Sequence, residues 1–197
     1  GVLSLMYHRF NENKYPSTNI RMNMFKDQMQ IIKDLGYNFS DPNFFVTKFD
    51  KIKNKKEILI TIDDGFKSFY TEAWPYLKKN KIPFILFIST EPVGKNGYMN
   101  WSEIKEIEKM DFVMIGHHSH THKYLIDMNN SDFVKDIENA TKIFKEKLGY
   151  VPEIFSYPFG EYSQYMKEYI SKNFKIAFGQ HSGILDINKD RFELQRF

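Results

Sequence analysis

The sequence predicts an α/β protein of one domain, in which helices surround a parallel sheet or barrel. Its 197 residues are enough for one sizeable domain with a complete core. Short apolar runs of strand length alternate with longer segments of helical period, which is the pattern of repeated βα units. The apolar runs are nearly continuous, and this indicates strands that are buried on both faces.

The short apolar runs predict six strands, at residues 2–7, 58–62, 84–89, 112–116, 154–157 and 175–179. Helices are predicted between the strands. The first has apolar residues that repeat at three, four and three positions, and Gly36 predicts its end; these residues are Met22, Phe25, Met29 and Ile32.

Four further helices are predicted from their apolar period, at about 68–80, 102–110, 131–148 and 162–173. Ser102 and Ser131 are predicted as N-cap residues, because a short polar side chain at that position accepts a hydrogen bond from the first turn.

Composition and charge exclude several classes of protein. The chain has 28 basic and 25 acidic residues, which give a net charge of +3, and it has no cysteine. Disulfides and thiolate metal sites are therefore excluded. The one dense basic run, residues 51–56, has no interleaved aromatic residue, which favours a solvated loop over a nucleic-acid patch. No apolar run approaches the ~20 residues of a membrane helix.

These properties lead us to expect neither nucleic-acid binding nor stable membrane insertion, and no protein partner is inferred. The chain starts at Gly1 without a signal-like segment, which fits a mature or trimmed protein. Its location does not follow from the residues.

Chemically reactive or backbone-distorting residues follow four predicted strands. His8 follows the first strand and the pair Asp63 and Asp64 follows the second. Four of the six histidines lie in residues 117–122, and Pro-Phe-Gly follows the next strand at 158–160. Because the carboxyl ends of parallel strands meet at one edge, we expect these residues to converge. Taken alone, the two aspartates could equally cap the following helix.

The histidine segment and one aspartate form a candidate metal site. A divalent cation could take one carboxylate and two imidazoles and leave positions for water and substrate. In a helical turn His118 and His122 would face one ion. In an extended chain His118, His120 and His122 would share a face, so the spacing alone leaves the ligand pair open. The same ligand set also occurs in non-haem iron oxygenases.

Three segments resemble motifs of the polysaccharide deacetylase family, also known as NodB-homology proteins or carbohydrate esterase family 4. ITIDDGF (60–66) is similar to the first motif, HSHTH (118–122) to the second and FSYPFGEYS (155–163) to the third. They occur in the family's order, and the resemblance covers the chain from about Val2 to its end. It implies a distorted (β/α)7-type barrel in which residues 1–197 form a single catalytic domain.

The resemblance also implies a site and a cofactor. Asp63 would act as general base, while one divalent ion, zinc or alternatively Co²⁺, Ni²⁺ or Fe²⁺, would be held by Asp64, His118 and His122. The backbone N–H of Phe159 would stabilise the oxyanion.

The same resemblance leaves His117 and His120 outside the ligand set. It implies an extracytoplasmic or cell-surface location and a carbohydrate substrate, whose N-acetyl groups would be hydrolysed.

The general acid departs from the commoner family pattern. Ser156 stands where that pattern has an arginine, and the C-terminal residues 194–197 contain no histidine. Met6-Tyr7-His8 is similar to the N-terminal Tyr-His of the subgroup that deacetylates poly-β-1,6-linked N-acetylglucosamine, in which the motif order is circularly permuted. His8 is therefore the expected acid, and His181 is the alternative.

Two further expectations concern the surroundings of the site. Arg196 is expected to replace the missing arginine by pairing with Asp63. Trp101, Tyr157 and Tyr162 could form a wall on which a sugar stacks, or they could pack in the core.

The expected protein is thus a metal-dependent hydrolase that removes N-acetyl groups from a β-linked amino-sugar polymer or oligomer. The alternatives are a carbohydrate-binding relative that has lost catalysis and a non-haem iron enzyme.

Overall fold

A curled sheet of mostly parallel strands forms the centre of the protein, as seen in a computed structural model that describes residues 1–52, 56–185, 188 and 190–197. The strands in this part of the chain are β1 (Val2–Tyr7), β2 (Arg9–Phe10), β3 (Asn19–Ile20), β4 (Asn38–Phe39), β5 (Glu57–Asp63), β6 (Phe84–Ile88), β7 (Val113–His117), β8 (Ile154–Ser156), β9 (Ile176–Phe178) and β10 (Ile184–Leu185).

The main sheet has the order β10-β1-β5-β6-β7-β8-β9, and β4 pairs with β5 beside this path. All neighbours from β1 to β9 along the path are parallel, whereas β10 is antiparallel to β1. The six predicted strands are confirmed, with ends that differ by no more than one residue. The predicted α/β fold of (β/α)-barrel type is also confirmed.

The continuous apolar strands are explained by burial on both faces of the sheet. In β5, Ile60 and Ile62 pack in the cluster that contains α1 residues such as Phe25. Leu59, which points to the opposite face, packs in a second cluster with Phe178. Both faces therefore need apolar side chains, and the simple alternation of a half-exposed strand is absent from β5.

The helices cover the outside of the sheet. Their bounds are α1 (Met22–Asp34), α2 (Pro42–Thr47), α3 (Trp74–Asn80), α4 (Trp101–Glu108), α5 (Asn130–Leu148) and α6 (Gln164–Asn173). The four apolar residues that predicted α1 are its four buried residues. The helix predicted at 68–80 is a π-helical turn, Phe69–Ala73, followed by α3.

The N-cap predictions for Ser102 and Ser131 are wrong. Asn100 caps α4, where its side chain accepts from the Glu103 N–H at 2.9 Å and the Glu103 side chain accepts from the Asn100 N–H in return. Asn129 caps α5. Both helices begin earlier than predicted, because an asparagine side chain lies at the position where it can reach the first free N–H groups.

The C-terminal segment, residues 194–197, bridges β9 and β1. Leu194 forms a parallel bridge with Phe178 at the end of β9. Phe197 exchanges two backbone hydrogen bonds with β1, to Ser4 and from Met6, each 2.7 Å long. The segment therefore closes the gap between β9 and β1, and it carries Arg196 into the interior, where this side chain has 0% exposure.

Two remaining expectations concern the predicted basic loop and the absence of a membrane helix. Residues 53–55 of the predicted basic loop lie outside the described residues. Among the helices that are described, none combines the length and the apolar character needed to span a lipid bilayer.

Candidate active site

The polar residues that follow the strands converge at the carboxyl edge of the sheet. His8 follows β1, and its Nε2 lies 3.8 Å from Oδ2 of Asp63 at the end of β5. Oδ1 of Asp64 lies 3.1 Å from Nε2 of His118 and 2.8 Å from Nε2 of His122. The predicted convergence is therefore present in the structure.

A sharp turn after β5 separates the two carboxylates. Asp64 has φ 80° and Gly65 has φ 76°, so two consecutive residues adopt the left-handed conformation. A Cβ at Gly65 would lie 2.7 Å from Cδ1 of Ile88, which explains why glycine occupies this position. As a result Asp63 contacts Arg196, whereas Asp64 contacts the histidines. These contacts do not support the alternative in which the two aspartates cap the following helix.

The arrangement of Asp64, His118 and His122 fits a cation. Their ligand atoms all lie within 4.8 Å of one another. Nδ1 of His118 is 2.7 Å from the Ser156 carbonyl oxygen, which can only accept, so Nδ1 carries the proton and Nε2 presents a lone pair. That lone pair faces Oδ1 of Asp64, and in the described part of the chain neither buried atom has a hydrogen-bond partner. A cation between the two acceptors would satisfy both.

The charges of the cluster keep Asp64 anionic. Burial raises the pKa of Asp64, but the neighbouring His118 and His122 imidazoles outweigh burial and hold that pKa well below its usual range. Burial lowers the pKa of His122, but Asp64 outweighs it and the pKa is raised. Asp64 is therefore ionised across the neutral range and can serve as an anionic ligand.

Asp63 is held by a fully buried arginine. Nη1 and Nη2 of Arg196 donate to the two carboxylate oxygens of Asp63 at 2.7 and 2.9 Å. The guanidinium also donates to Thr61 Oγ1, Ser156 Oγ and the Gly179 carbonyl. The expectation that Arg196 pairs with Asp63 is thus confirmed. Ser156, at the position of the missing arginine, thus accepts a hydrogen bond from an arginine of the C-terminal segment.

The arginine also controls the ionisation of Asp63. Burial alone would raise the pKa of Asp63, but the Arg196 guanidinium outweighs burial and lowers that pKa. The carboxylate is therefore ionised at neutral pH although its side chain has 0% exposure.

The two candidate acids differ in their surroundings. The His8 side chain is 12% exposed and lies beside Asp63. Burial lowers the pKa of His8 and outweighs the opposing effect of the Asp63 and Asp64 carboxylates. His181 lies on an exposed loop after β9, and its carbonyl oxygen accepts a hydrogen bond from the Arg196 backbone N–H. The structure thus places the His8 imidazole, rather than that of His181, against the carboxylates.

The histidine segment is neither helical nor extended. Ser119 and His122 have φ values of 70° and 56°, so the chain turns twice through the left-handed region. This turn brings the rings of His118 and His122 to a centroid distance of 4.9 Å. Nδ1 of His120 contacts Oγ1 of Thr90 at 2.7 Å instead.

His117 is buried in the core beside this segment. Its ring lies 5.1 to 5.3 Å from the rings of Phe144, Phe155 and Phe174. Burial lowers the pKa of His117 to about 3, so the ring is neutral. Its Nδ1 accepts a hydrogen bond from the Ser119 N–H at 3.1 Å. His117 and His120 therefore make hydrogen bonds that hold the loop, and neither belongs to the ligand cluster.

The aromatic residues near the site are arranged differently from the predicted wall. Tyr157 has 0% exposure and packs in the core, and half-buried Trp101 packs edge-on against Phe144. The ring of Tyr162 packs at a tilt of 33° against that of Tyr157, and its hydroxyl donates to Glu193.

Tyr124 and Phe159 are the aromatic pair next to the cluster. Their rings stack at 3.9 Å and 12°, and they are 48% and 39% exposed. The Phe159 ring is also 4.9 Å from the ring of His122. The pair lines a surface groove of about 430 Å³ together with His122 and three neighbours, Lys123, Asp127 and Met128. Sequence reasoning missed Tyr124, because a tyrosine in an irregular loop has no periodic signal.

The sequence model described as polysaccharide deacetylase matches residues 50–176. A putative polysaccharide deacetylase of Bacillus subtilis, YxkH, is 26% identical over 163 residues, which cover 81% of this chain and 57% of that protein. A poly-beta-1,6-N-acetyl-D-glucosamine N-deacetylase of Staphylococcus aureus is 23% identical over 188 residues, which cover 81% of this chain and 65% of the relative.

The chain therefore spans less than two thirds of the length of these curated relatives. Among solved structures, IcaB from Ammonifex degensii superposes with a TM-score of 0.90 and 25% identity, and the match covers 100% of this chain and 91% of the other. The barrel fold is thus shared over the whole of this chain.

The buried ion pair generates a prediction about Arg196. Replacing Arg196 with Met leaves the Asp63 carboxylate buried without its partner, which should lower the free energy of unfolding by about 3 to 5 kcal/mol. The pKa of Asp63 should rise, because burial is then less opposed. In any activity that needs ionised Asp63, the acid limb of the pH profile should therefore move to higher pH.

Chemical denaturation and a pH–rate profile check these expectations. Arg191→Met is the matched control, since Arg191 pairs with Asp50 at the surface and should contribute less than about 1 kcal/mol. An Arg196→Met protein with unchanged stability and an unchanged acid limb would contradict the assigned role of the ion pair.

Proposed function

The chain belongs to the polysaccharide deacetylase family, and from this premise we propose that it is a metal-dependent hydrolase that removes N-acetyl groups from a β-linked amino-sugar polymer or oligomer. Members of the family are hydrolytic enzymes that act on polysaccharides. The observation that carries the proposal is the meeting of Asp64, His118 and His122 beside a second carboxylate, Asp63, which Arg196 keeps ionised. The named substrate of the Staphylococcus aureus relative supports an N-acetylglucosamine polymer.

In the proposed reaction, Asp64, His118 and His122 hold one divalent cation, with zinc as the first choice and Co²⁺, Ni²⁺ or Fe²⁺ as alternatives. When bound, the cation supplies Lewis acidity, which polarises the acetamide carbonyl and makes the attacking water more acidic. The Ser156 carbonyl holds the His118 ring in the tautomer that a ligand needs. Oxygen- and reductant-dependent turnover would instead indicate an iron oxygenase.

Asp63 and His8 are the proposed proton carriers. Asp63 takes a proton from the water that adds to the acetyl carbon, and Arg196 keeps the carboxylate ready to accept it. The backbone N–H of Phe159 stabilises the oxyanion. His8 then gives a proton to the sugar nitrogen as the C–N bond breaks. The products are acetic acid and the free amine, and return of the proton from Asp63 to His8, whose Nε2 lies 3.8 Å from Asp63 Oδ2, restores both groups.

The stacked pair of Tyr124 and Phe159 supports a sugar substrate. An aromatic face suits the apolar C–H face of a pyranose ring, and this pair is exposed beside the His122 ligand. We place a neighbouring sugar unit of the substrate in this groove. The expected extracytoplasmic or cell-surface location stays a prediction, and so does the extent of the catalytic domain over residues 1–197.

The role of Asp63 as base predicts that Asp63→Asn lowers acetate release by at least about 100-fold. Metal content should stay at one divalent ion per chain, because Asp63 is not a proposed ligand. Acetate release should be measured on a panel of chitin, poly-β-1,6-N-acetylglucosamine, peptidoglycan and acetylated xylan fragments, with metal content from elemental analysis. Asp64→Asn is the matched control and should lose both metal and activity. Undiminished acetate release by folded Asp63→Asn protein would refute the mechanism.

The role of His8 as acid predicts that His8→Ala lowers acetate release by about 100-fold or more while metal stays bound. An aryl acetate ester should be affected far less, because its phenolate leaving group does not need a proton. Steady-state rates on an N-acetylated oligomer and on the ester test this difference. His181→Ala serves as control, and loss of activity in that variant, with His8→Ala unaffected, would transfer the acid role to His181.

The aromatic groove predicts that Tyr124→Ala raises KM for a tetrameric substrate by about 2- to 13-fold, since one stacking contact is worth roughly 0.5–1.5 kcal/mol. The KM for an aryl acetate ester should not change, because this small substrate does not reach Tyr124. Tyr150→Ala is the control, as Tyr150 lies before β8 at the opposite edge of the sheet. Equal effects on the oligomer and on the ester would exclude a sugar-binding role.

A further inference from the structure

The loop that carries both histidine ligands is attached to α5 by one carboxylate. Asp136 lies on α5 and is only 5% exposed. Its Oδ2 accepts from the His120 N–H at 2.9 Å, and its Oδ1 accepts from the Thr121 N–H at 3.3 Å and from Thr121 Oγ1 at 2.7 Å. Three hydrogen bonds from two successive loop residues thus satisfy a nearly buried charge.

The loop needs such support because its backbone is strained. Ser119 and His122 both adopt positive φ without being glycine, which costs of order 1 kcal/mol or more for each residue. The strained residues directly flank His120 and Thr121, the two residues that Asp136 holds. If these bonds were missing, the loop could relax towards ordinary backbone conformations and the imidazole of His122 would move away from Asp64.

Other contacts hold the loop from the side of the sheet. Ser89 Oγ donates to the His118 carbonyl at 2.6 Å, and the Thr90 and Glu91 N–H groups donate to the carbonyls of Ser119 and His120. These contacts fix the carbonyl side of the loop, whereas Asp136 fixes the N–H side of its centre. The loop is therefore held between residues 89–91, which follow β6, and the helix α5.

We propose that Asp136 is a positioning residue, which holds residues 119–122 so that His118 and His122 face Asp64 before a cation binds. The proposal rests on the proposed function only in that the cluster binds a divalent cation. Asp136 does not touch the cation or the substrate. By ordering the loop in advance, Asp136 reduces the conformational entropy that is lost when the cation binds. The affinity of the site for the cation is therefore higher.

Metal affinity of the full chain tests the proposal without any activity assay. After removal of metal with a chelator, the protein is titrated with Zn²⁺ against a chromophoric competitor, and the absorption spectrum of its Co²⁺ complex is recorded. Asp136→Asn keeps the shape of the side chain but replaces one acceptor oxygen with a donor NH₂ group. Its Kd for Zn²⁺ should rise by about 10- to 100-fold, and the Co²⁺ spectrum should change because the ligand geometry changes.

Two further variants make the result decisive. Thr121→Val removes one of the three hydrogen bonds and should raise the Kd about fivefold. Glu138→Gln is the matched control, because Glu138 lies two residues further along α5 with its side chain exposed, and it should bind Zn²⁺ as the wild type does. Titrations are made well below the melting temperature of each variant, so that a loss of stability alone does not change the measured Kd.

The outcomes separate this proposal from the proposed function. Wild-type affinity in folded Asp136→Asn protein would show that Asp136 only stabilises the fold, and would overturn the positioning role. If Asp136→Asn fails to fold, Thr121→Val decides, and a Kd within twofold of wild type overturns the proposal. Failure of the wild-type protein itself to bind a divalent cation would instead refute the metal-dependent function.

Discussion

The buried ion pair between Arg196 and Asp63 is the interaction on which the rest of the site depends. The two residues are 133 positions apart, and both side chains have 0% exposure. Two buried charges are tolerated only when each is paired and hydrogen-bonded, and here the guanidinium reaches five acceptor atoms. The pair fixes the C-terminal segment between β9 and β1 and, in the same contact, keeps Asp63 ionised.

A division of labour between two adjacent carboxylates follows from the backbone after β5. The left-handed turn at Asp64 and Gly65 directs Asp64 to the imidazoles, while Asp63 remains beside Arg196 and His8. One carboxylate is thus free to bind a cation and the other to carry a proton. Such strained conformations persist only where their surroundings hold them, and here the tightly packed strand ends β5, β6 and β7 do so.

Sequence patterns predicted the strands and α1 closely, because burial on one or two faces imposes a period that side chains must follow. The strand ends also indicated the edge of the sheet at which the site lies. The choice of Asp63, Asp64, His118 and His122 came from the resemblance of their motifs, because the histidine spacing alone left the ligand pair open. The N-caps of α4 and α5 were misplaced, because Asn100 and Ser102, or Asn129 and Ser131, are equally suitable by residue type. Tyr124 and Asp136 gave no signal, since neither belongs to a motif or to an apolar period.

By itself, the sequence determined the class of fold, the order of its strands along the chain and the residue types available at their ends, since these depend on local periodicity and residue chemistry. Only the tertiary structure decided which side chains meet. The choice of His118 and His122 over His120 depends on the φ angles of Ser119 and His122, and the pairing of Arg196 with Asp63 depends on how the chain end fits between β9 and β1. Both are long-range packing outcomes, because the contacts that fix them join residues far apart in the chain.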